Sequence, residues 1–528
     1  MKISRYFLFG GAALLMGLTS CVGDLDVKPI NPNDMTQITE KNQYIGLMMR
    51  AYGGLVMEGG ITVDDGGAGT YIRQLFNEQE LPTDECVIGL NWNDAGIDEL
   101  VYAQPSADNH WIYEMYSRIN YQIALCNNVI ATLKNAGEFF SGAEIDEMQA
   151  EMRILRDLSY YHMIDIFGKG PWTDENSPVG EIPPTYSRTE LFNAVVADLT
   201  DAIQHVKPAA QQEYGRVSQE AALALLAKLY LNSEVYTGVP RYQECIDACK
   251  KITETIPALA PTYKYLFCAS NKKYVASSTF GTANGEILWT VPQDNQTMQC
   301  WGGTTYLTAG AYATDSPAAS YGFQGGVWNG PHMRPETVKR FAENDQRALF
   351  YAGDFTLDLT NIDNWGTAGT CGYMCVKYTY TEEGEHYLLD PNATDPTNPD
   401  NQYLNPNDFC SADFPVFRLA DIYLMLAECD ARGYACNGLE YYNKVRMRAG
   451  LDEVGYYNIN DVLDERNREL YWECHRRTDL IRFGQYTGQT YVWQWKGGVQ
   501  PGAPIESYRN LMPIPTQFTS TLGQNPGF

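Results

Sequence analysis

The sequence predicts a mainly α fold in which antiparallel helix pairs form a scaffold, interrupted by a long loop-rich insertion with a few short strands. Three observations predict it. Apolar residues recur at steps of three and four through most of residues 41–257 and again through 416–484, which puts them on one face of successive helices. Residues 258–415, between these blocks, show little of that periodicity and are rich in Gly, Pro, Tyr and Trp. Several periodic runs stop at a Gly or a Pro, residues that end helices for conformational reasons.

In chain order, a first helix is predicted over Gln43 to Val56, followed by a Gly-rich loop from Gly53 to Gly69. Gln79 to Gln104 is polar and irregular and contains Leu81-Pro82-Thr83-Asp84-Glu85 and Asn91-Trp92-Asn93-Asp94. A Trp in that company has no apolar neighbours to pack with. Asp108 to Leu133 carries Trp111, Met115, Ile119, Ile123, Cys126 and Ile130 as one stripe and closes at Gly137. Ala143 to Phe167 is a second long helix, closed by Gly168 and Pro171. Ser187-Arg188-Thr189-Glu190 is a capping box, in which each of Ser187 and Glu190 takes the other's backbone N–H, and it opens a third helix striped by Leu191, Val195, Leu199 and Ile203. Ser218 to Asn232 is Ala-rich and apolar nearly all round, the mark of a buried helix with close neighbours. After Tyr236-Thr237-Gly238 another helix runs to Ile256 and stops at Pro257. Two antiparallel helices in about forty residues, with small residues at the crossing, are tetratricopeptide-like. Arg418 to Gly450 repeats the scheme through Leu419, Tyr423, Ala427, Leu439, Tyr442 and Val445.

In the insertion, Ile287 to Val291 and Tyr373 to Thr381 read as strands, the second with Met374, Val376, Tyr378 and Tyr380 on one face. A loop-dominated region of this length is usually functional. It holds Trp301, Tyr306, Tyr312, Tyr321, Trp328 and Trp365.

At the other end, Lys2 and Arg5, an apolar run from Tyr6 to Leu18, and then Thr19-Ser20-Cys21 have the layout of a secretory signal. The run reaches only ~20 Å as a helix against a ~30 Å hydrocarbon core, so it predicts export and not a membrane span. A Cys directly after small residues resembles a bacterial lipobox, in which the thiol is acylated and becomes the first mature residue. Several acyl chains at ~0.8 kcal/mol per buried methylene hold firmly. The expected division is a signal over 1–20, acylated Cys21 with a tether to residue 40, and one domain over 41–528 whose tail occupies 485–528. Val22 to Asp34 supplies the tether, having Gly, Pro, Asn and Asp but no periodicity.

The whole chain has 528 residues, 44% of them apolar, and a formal charge of −27; loss of Lys2 and Arg5 with the signal brings the mature chain to −29. Such a chain can bury a large core, repels phosphate backbones, and predicts no nucleic-acid partner. Neutral ligands are compatible with it. The 37 Tyr and 10 Trp supply flat apolar faces with polar tips, a composition enriched where partners bind. Of 13 Cys, twelve remain beyond Cys21; they lack paired C-x-x-C zinc spacing and read mostly as small buried thiols, with Cys371 and Cys375 a candidate pair.

Near the C-terminus stand Arg466-Asn467-Arg468-Glu469-Leu470, Glu473-Cys474-His475-Arg476-Arg477, Asp479-Leu480-Ile481-Arg482-Phe483-Gly484, Pro513-Ile514-Pro515 and Gln524-Asn525-Pro526-Gly527-Phe528. Together these resemble the SusD/RagB family of outer-membrane nutrient-binding lipoproteins. The resemblance extends to Glu151 through Trp172, and to Trp328-Asn329-Gly330 ahead of Asp345-Gln346-Arg347. Cys474 departs from it, since the family usually has Gly there. The resemblance implies a monomeric helical protein that sits as an extracellular lid on a SusC-like TonB-dependent transporter and passes oligosaccharides to it; the RagB branch implies a peptide as the alternative ligand, and a surface that serves only as a protein-docking scaffold is the further alternative. The charged residues Glu469, Glu473, Arg476, Arg477, Asp479 and Arg482 are expected on a helix and its exit, pairing at i, i+3 or i+4 in a structural role.

A neutral glycan presents an apolar C–H face and a rim of hydroxyls, so its receptor needs flat aromatics with amides or carboxylates beside them. Trp92 with Asn91, Asn93 and Asp94 supplies both, and Trp301, Tyr306, Tyr312 and Tyr321 are further candidates, since the family's starch binders place an aromatic arc on loops from these two regions. Trp328 is read as structural, and Trp172, Trp289 and Trp472 as core. No nucleophile elbow, metalloprotease, P-loop or dinucleotide motif is present, so no enzyme is expected. No cofactor is expected either. The acidic loop from Thr381 to Asp408, with Asp390, Asn392, Asp395, Asn398, Asp400 and Asn401, offers hard oxygen ligands for Ca²⁺ but lacks EF-hand spacing and is read as solvated.

Overall fold

The computed structural model describes residues 38–58, 66–89, 92, 94–178, 180–314, 316–323, 325–360, 362, 372–382 and 408–528. The signal, Cys21 and the tether residues 22–34, together with Asn91, Asn93, Trp365, Cys371 and the acidic-loop positions 390–401, lie outside the described residues. The chain divides into two units, Met1–Gly46 and Leu47–Phe528. Helix α1 (Lys41–Gly53) begins in the first, and the elements described below belong to the second.

The scaffold consists of α2 (Tyr71–Glu80), α3 (His110–Leu133), α4 (Gly142–His162), α5 (Arg188–Ala202), α6 (Gln219–Leu231), α7 (Tyr242–Thr255), α8 (Leu419–Ala431), α9 (Gly438–Arg448), α10 (Ile459–Leu470) and α11 (Arg476–Arg482). α3 packs on α4, α4 on α5, α6 on α7, α7 on α8 and α8 on α9, a succession of helix pairs that continues across the insertion. The helix starts follow from their caps. Asn109 accepts from the N–H groups of Trp111 and Ile112 at 3.0 and 3.4 Å, and the reciprocal box of Ser187 and Glu190 is formed, as is a second one between Ser141 and Glu144.

The helix expected to reach Phe167 ends as α-helix at His162 and continues as a wider π turn over Met163–Phe167. Within that turn Asp165 accepts from Gln79 at 2.9 Å, Thr478 at 2.7 Å and the Tyr236 hydroxyl at 2.7 Å, which ties α2 and α11 to the end of α4. Gly168 follows at φ +72°, and a Cβ there would lie 2.7 Å from Leu511, so conformation and close approach both require glycine.

Strands are short and form two-stranded antiparallel pairs. They are β1 (Cys86–Val87) with β5 (His332–Met333), β2 (Lys169–Pro171) with β3 (Thr185–Ser187), β4 (Ile287–Val291) with β8 (Phe414–Arg418), and β6 (Phe350–Tyr351) with β7 (Met374–Cys375). The strand expected over Tyr373 to Thr381 is a correction: only Met374–Cys375 forms one. The N–H groups of Val376, Thr379 and Tyr380 go to Leu349, Phe267 and Tyr321, three different segments and not one neighbouring strand. Lys377 and Thr379, at the alternate positions, are buried along with Met374 and Tyr378.

The C-terminal charges also depart from expectation. α10 ends at Leu470, and the turn before α11 holds Trp472 and Cys474 both at φ +63°. Cys474 therefore occupies a backbone conformation that favours glycine, the family's usual residue. Of the six charges, Asp479 and Arg482 pair locally at 2.7 Å. The other ion pairs are non-local or lie across the turn: Glu469 and Glu473 meet Arg418 at 3.0 and 2.7 Å, Glu473 meets Lys377 at 2.6 Å, Glu469 meets Arg347 at 3.2 Å, Arg476 meets Asp84 at 2.7 Å and Asp479 meets Arg466 at 2.7 Å. The reason is burial: charges removed from water need several partners, which one helix face cannot supply. Burial alone would raise the carboxyl of Asp84, but Arg476 and Arg340 outweigh it and hold that group well below the usual range.

Eleven cysteines among the described residues carry free thiols, ten of them buried. Cys375 is among these, so it is unpaired. Trp289 and Trp472 are core residues as expected; Trp172 is half-buried, a correction taken up below.

Candidate functional site

Partly exposed rings come from three segments, one holding Trp92, one from Cys300 to Gly330 that includes a single helical turn at Thr304–Leu307, and one holding Phe409. The Trp92 N–H is fixed by the Gly89 carbonyl at 3.0 Å, and its indole N–H donates to Asp94 at 2.6 Å. Asp94 is paired with Arg73 at 3.3 Å, and the Arg73 guanidinium lies 4.4 Å from the centre of the Tyr306 ring. Tyr306 in turn donates its hydroxyl to Asn77 of α2 at 3.0 Å. A series of contacts thus runs from the scaffold to the Trp92 ring.

Trp92 rests on Gly330, where a Cβ would come 3.0 Å from its six-membered ring and 2.5 Å from the Gly310 carbonyl. The same strip of chain carries Trp328. Its backbone is clamped to the Ala309–Tyr312 segment by N–H donations from Trp328 to Ala309 at 3.0 Å, Asn329 to Tyr312 at 3.0 Å and Gly330 to Gly310 at 2.7 Å. The Trp328 ring lies 5.7 Å from that of Trp301 at 47°, and Phe409 lies 4.4 Å from Trp301 at 49°. All four rings are partly exposed. The polar groups beside them are Asp94, Glu58, which accepts from the Trp301 N–H, and Asn329, whose carboxamide bonds Thr314. Tilted apolar faces edged by acceptors can stack on a sugar ring or another flat apolar surface and take hydrogen bonds from its rim.

Of the expected residues, the structure brings Trp92, Asp94 and Trp301 to this surface. Tyr306, Tyr312 and Tyr321 are corrections: they are 0%, 0% and 2% exposed, so their rings cannot meet a ligand. They serve underneath, Tyr306 beneath Arg73 and Tyr312 with its hydroxyl on the Tyr378 carbonyl at 3.0 Å. Trp328 and Phe409 were not expected at the surface. Trp328 stands in a Gly-rich stretch with no apolar periodicity, the same signal that singled out Trp92.

Below the Trp301 loop, Thr304 donates to the Ala412 carbonyl at 2.7 Å, and the neighbouring Asp413 accepts from the Gln293 N–H at 3.0 Å and the Tyr214 hydroxyl at 2.5 Å. Burial pushes the Asp413 carboxyl up to about 7, against these hydrogen bonds. Among the described residues no group of three or more His, Cys, Asp or Glu is placed to hold a metal ion, and no helix is long and apolar enough to cross a membrane.

Residues 285–528 match the model of the SusD family, and residues 60–231 match a family described as starch-binding and associating with the outer membrane. The starch-binding protein SusD of Bacteroides thetaiotaomicron is 28% identical over 98% of this chain and 97% of its own length. A SusD-like protein, P25, of Formosa agariphila is 25% identical over 75% of each chain. Among solved structures, surface glycan-binding protein A of B. thetaiotaomicron, in complex with laminarihexaose, superposes with a TM-score of 0.68 at 18% identity, covering 92% of this chain and 100% of that one. The Bacteroides fluxus protein of the same description gives 0.69 at 20% identity, over 93% and 100%.

Proposed function

The chain belongs to the SusD family, and from that premise we propose that it is a cell-surface, lipid-anchored glycan-binding protein that captures oligosaccharides and passes them to a SusC-like TonB-dependent transporter. The observation that carries this reading is the group of partly exposed rings Trp328, Trp301 and Phe409, with Trp92 against Gly330, two residues from Trp328. Rings held in place before binding lose little entropy on binding. At ~1–3 kcal/mol per stacked ring, by analogy with base stacking, two or three rings give micromolar to millimolar affinity after association costs. Weak binding suits a protein that hands its ligand on. The relatives described as binding starch or laminarihexaose support a glucan as the first ligand to test. The role is binding without turnover.

Calorimetric titration with maltoheptaose, laminarihexaose and a peptide pool tests it. Saccharide binding that Trp301→Ala weakens roughly 5- to 150-fold, with thermal unfolding unchanged, is the expected result. Binding of peptides alone, or release of shorter sugars by the pure protein, would overturn it. The anchor and the transporter are tested by labelling with a palmitate analogue, lost in Cys21→Ala, and by co-purification of a TonB-dependent barrel from the outer membrane.

A further inference from the structure

Trp172, expected in the core, forms part of the wall of a groove of about 410 Å³ on the helical scaffold. The groove shares no residue with the aromatic surface above, and its volume falls within the ~300–1,000 Å³ of small-molecule sites. The Trp172 ring is stacked with Tyr160 at 4.6 Å and with Tyr186 at 5.7 Å, so its orientation is set in advance. Two guanidinium groups from α4 are fixed as firmly. Arg153 Nε and Arg156 Nη2 bond the two oxygens of Asp198 at 2.9 and 2.8 Å, and Arg156 Nη1 bonds Glu175 at 2.9 Å. Arg156 is buried, while the side chains of Arg153 and Glu175 are 21% and 19% exposed and reach the groove.

The charges decide the class of ligand. Asp146, Asp174, Glu175 and Asp198 line the groove against the two arginines, so an anion is repelled by the surplus of carboxylates. A bare cation must approach two guanidinium groups. A hydroxyl both donates and accepts, so a neutral polyol meets the Arg153 donors and the spare carboxylate lone pairs together. We propose that this groove is a second saccharide site, which holds a neutral pyranose unit beside Trp172 with its hydroxyls on Arg153, Asp174 and Glu175. A long glycan is then gripped at two places on one chain. The proposed function is needed here only for the choice of probe.

The test uses the full mature chain carrying Trp92→Ala and Trp301→Ala, which disables the first surface, with saturation-transfer NMR against maltoheptaose and laminarihexaose at millimolar concentration. A residual signal is expected. It is lost on adding Trp172→Ala, and also on adding Asp146→Trp, which fills the groove from an exposed position on α4 and leaves thermal unfolding as in the parent. In the otherwise unaltered chain, Asp146→Trp leaves the affinity for the short sugars unchanged and weakens binding of the corresponding polysaccharide about tenfold through lost bivalency. Silence of the double variant, or a residual signal that Asp146→Trp does not remove, overturns the second site and leaves the first standing. If Asp146→Trp alone abolishes binding and the double variant is harmless, the groove stands and the aromatic surface fails. Saturation transfer to a Lys- and Arg-rich peptide, with none to either saccharide, overturns the sugar assignment.

Discussion

The insertion is held in two different ways at its two margins. Where it meets α9 and α10, it is fixed by buried charge: Arg347, Lys377 and Arg418 converge on Glu465, Glu469 and Glu473. Where it meets solvent, it is fixed by aromatic rings and backbone bonds, with Tyr306 and Tyr312 beneath Trp92, Trp301 and Trp328. The first arrangement is costly to disturb because each ion is shared, and losing one strands several others. In the second, each ring contributes separately and its outer face stays available. On the proposed function one margin serves stability and the other recognition, and the contrast can be broken experimentally.

The largest effect is expected from Glu469→Ala, which leaves Arg347, Arg418 and Arg448 short of a buried partner. Urea unfolding should show a loss of about 3–5 kcal/mol, while the remaining folded protein binds glycan as before. An unchanged midpoint would show that the network is dispensable. Next comes Asp413, at the junction of the two margins. Its folded-state value of about 7 lies above the ordinary 3.8. A raised value means that its contribution is fully present below about pH 4 and is lost as pH rises through 7, since the folded state then carries a buried charge. At about 1.4 kcal/mol per unit the span is roughly 4 kcal/mol. The stability difference between the wild type and Asp413→Asn should fall by that amount between pH 4 and 8; a flat difference would refute the assignment.

Trp301→Ala addresses the opposite margin. Glycan affinity should fall by about 1–3 kcal/mol, roughly 5- to 150-fold, with unfolding within ~1 kcal/mol of the parent because the ring is partly exposed. A large loss of stability would mean that the ring is a support and not a contact. The smallest effect is set by Ser187→Ala, which removes one half of the capping box of α5. It should cost about 1 kcal/mol in stability and leave binding unchanged, since a scaffold helix end has no part in the surface.

How much of this was legible in the sequence follows the same division. The helices were readable because their information is local: period, cap and terminating residue lie within a few positions of one another, as at Ser187 and Glu190. Of the charge network, Glu469 and Glu473 were readable and their partners were not, because Arg347 and Arg418 lie far in sequence from the glutamates they meet. Trp92 was readable by the company it keeps. Tyr306, Tyr312 and Tyr321 were misread because a Tyr in a loop-rich stretch looks the same whether its ring faces water or carries another residue. Trp172 was misread for the converse reason: its apolar neighbours Tyr160 and Tyr186 stack with it without covering it.

The unpaired thiols carry one more consequence. With no described cysteine crosslinked, the folded chain needs no oxidant to form and can reopen without breaking a covalent bond. Cys300 lies next to Trp301 and Cys410 next to Phe409, both inside the packing, while Cys245 and Cys429 lie between the helices. Each thiol reacts only when its own neighbourhood opens, so the rates of labelling at the two pairs form a native clock that times the breathing of the aromatic loops against that of the scaffold.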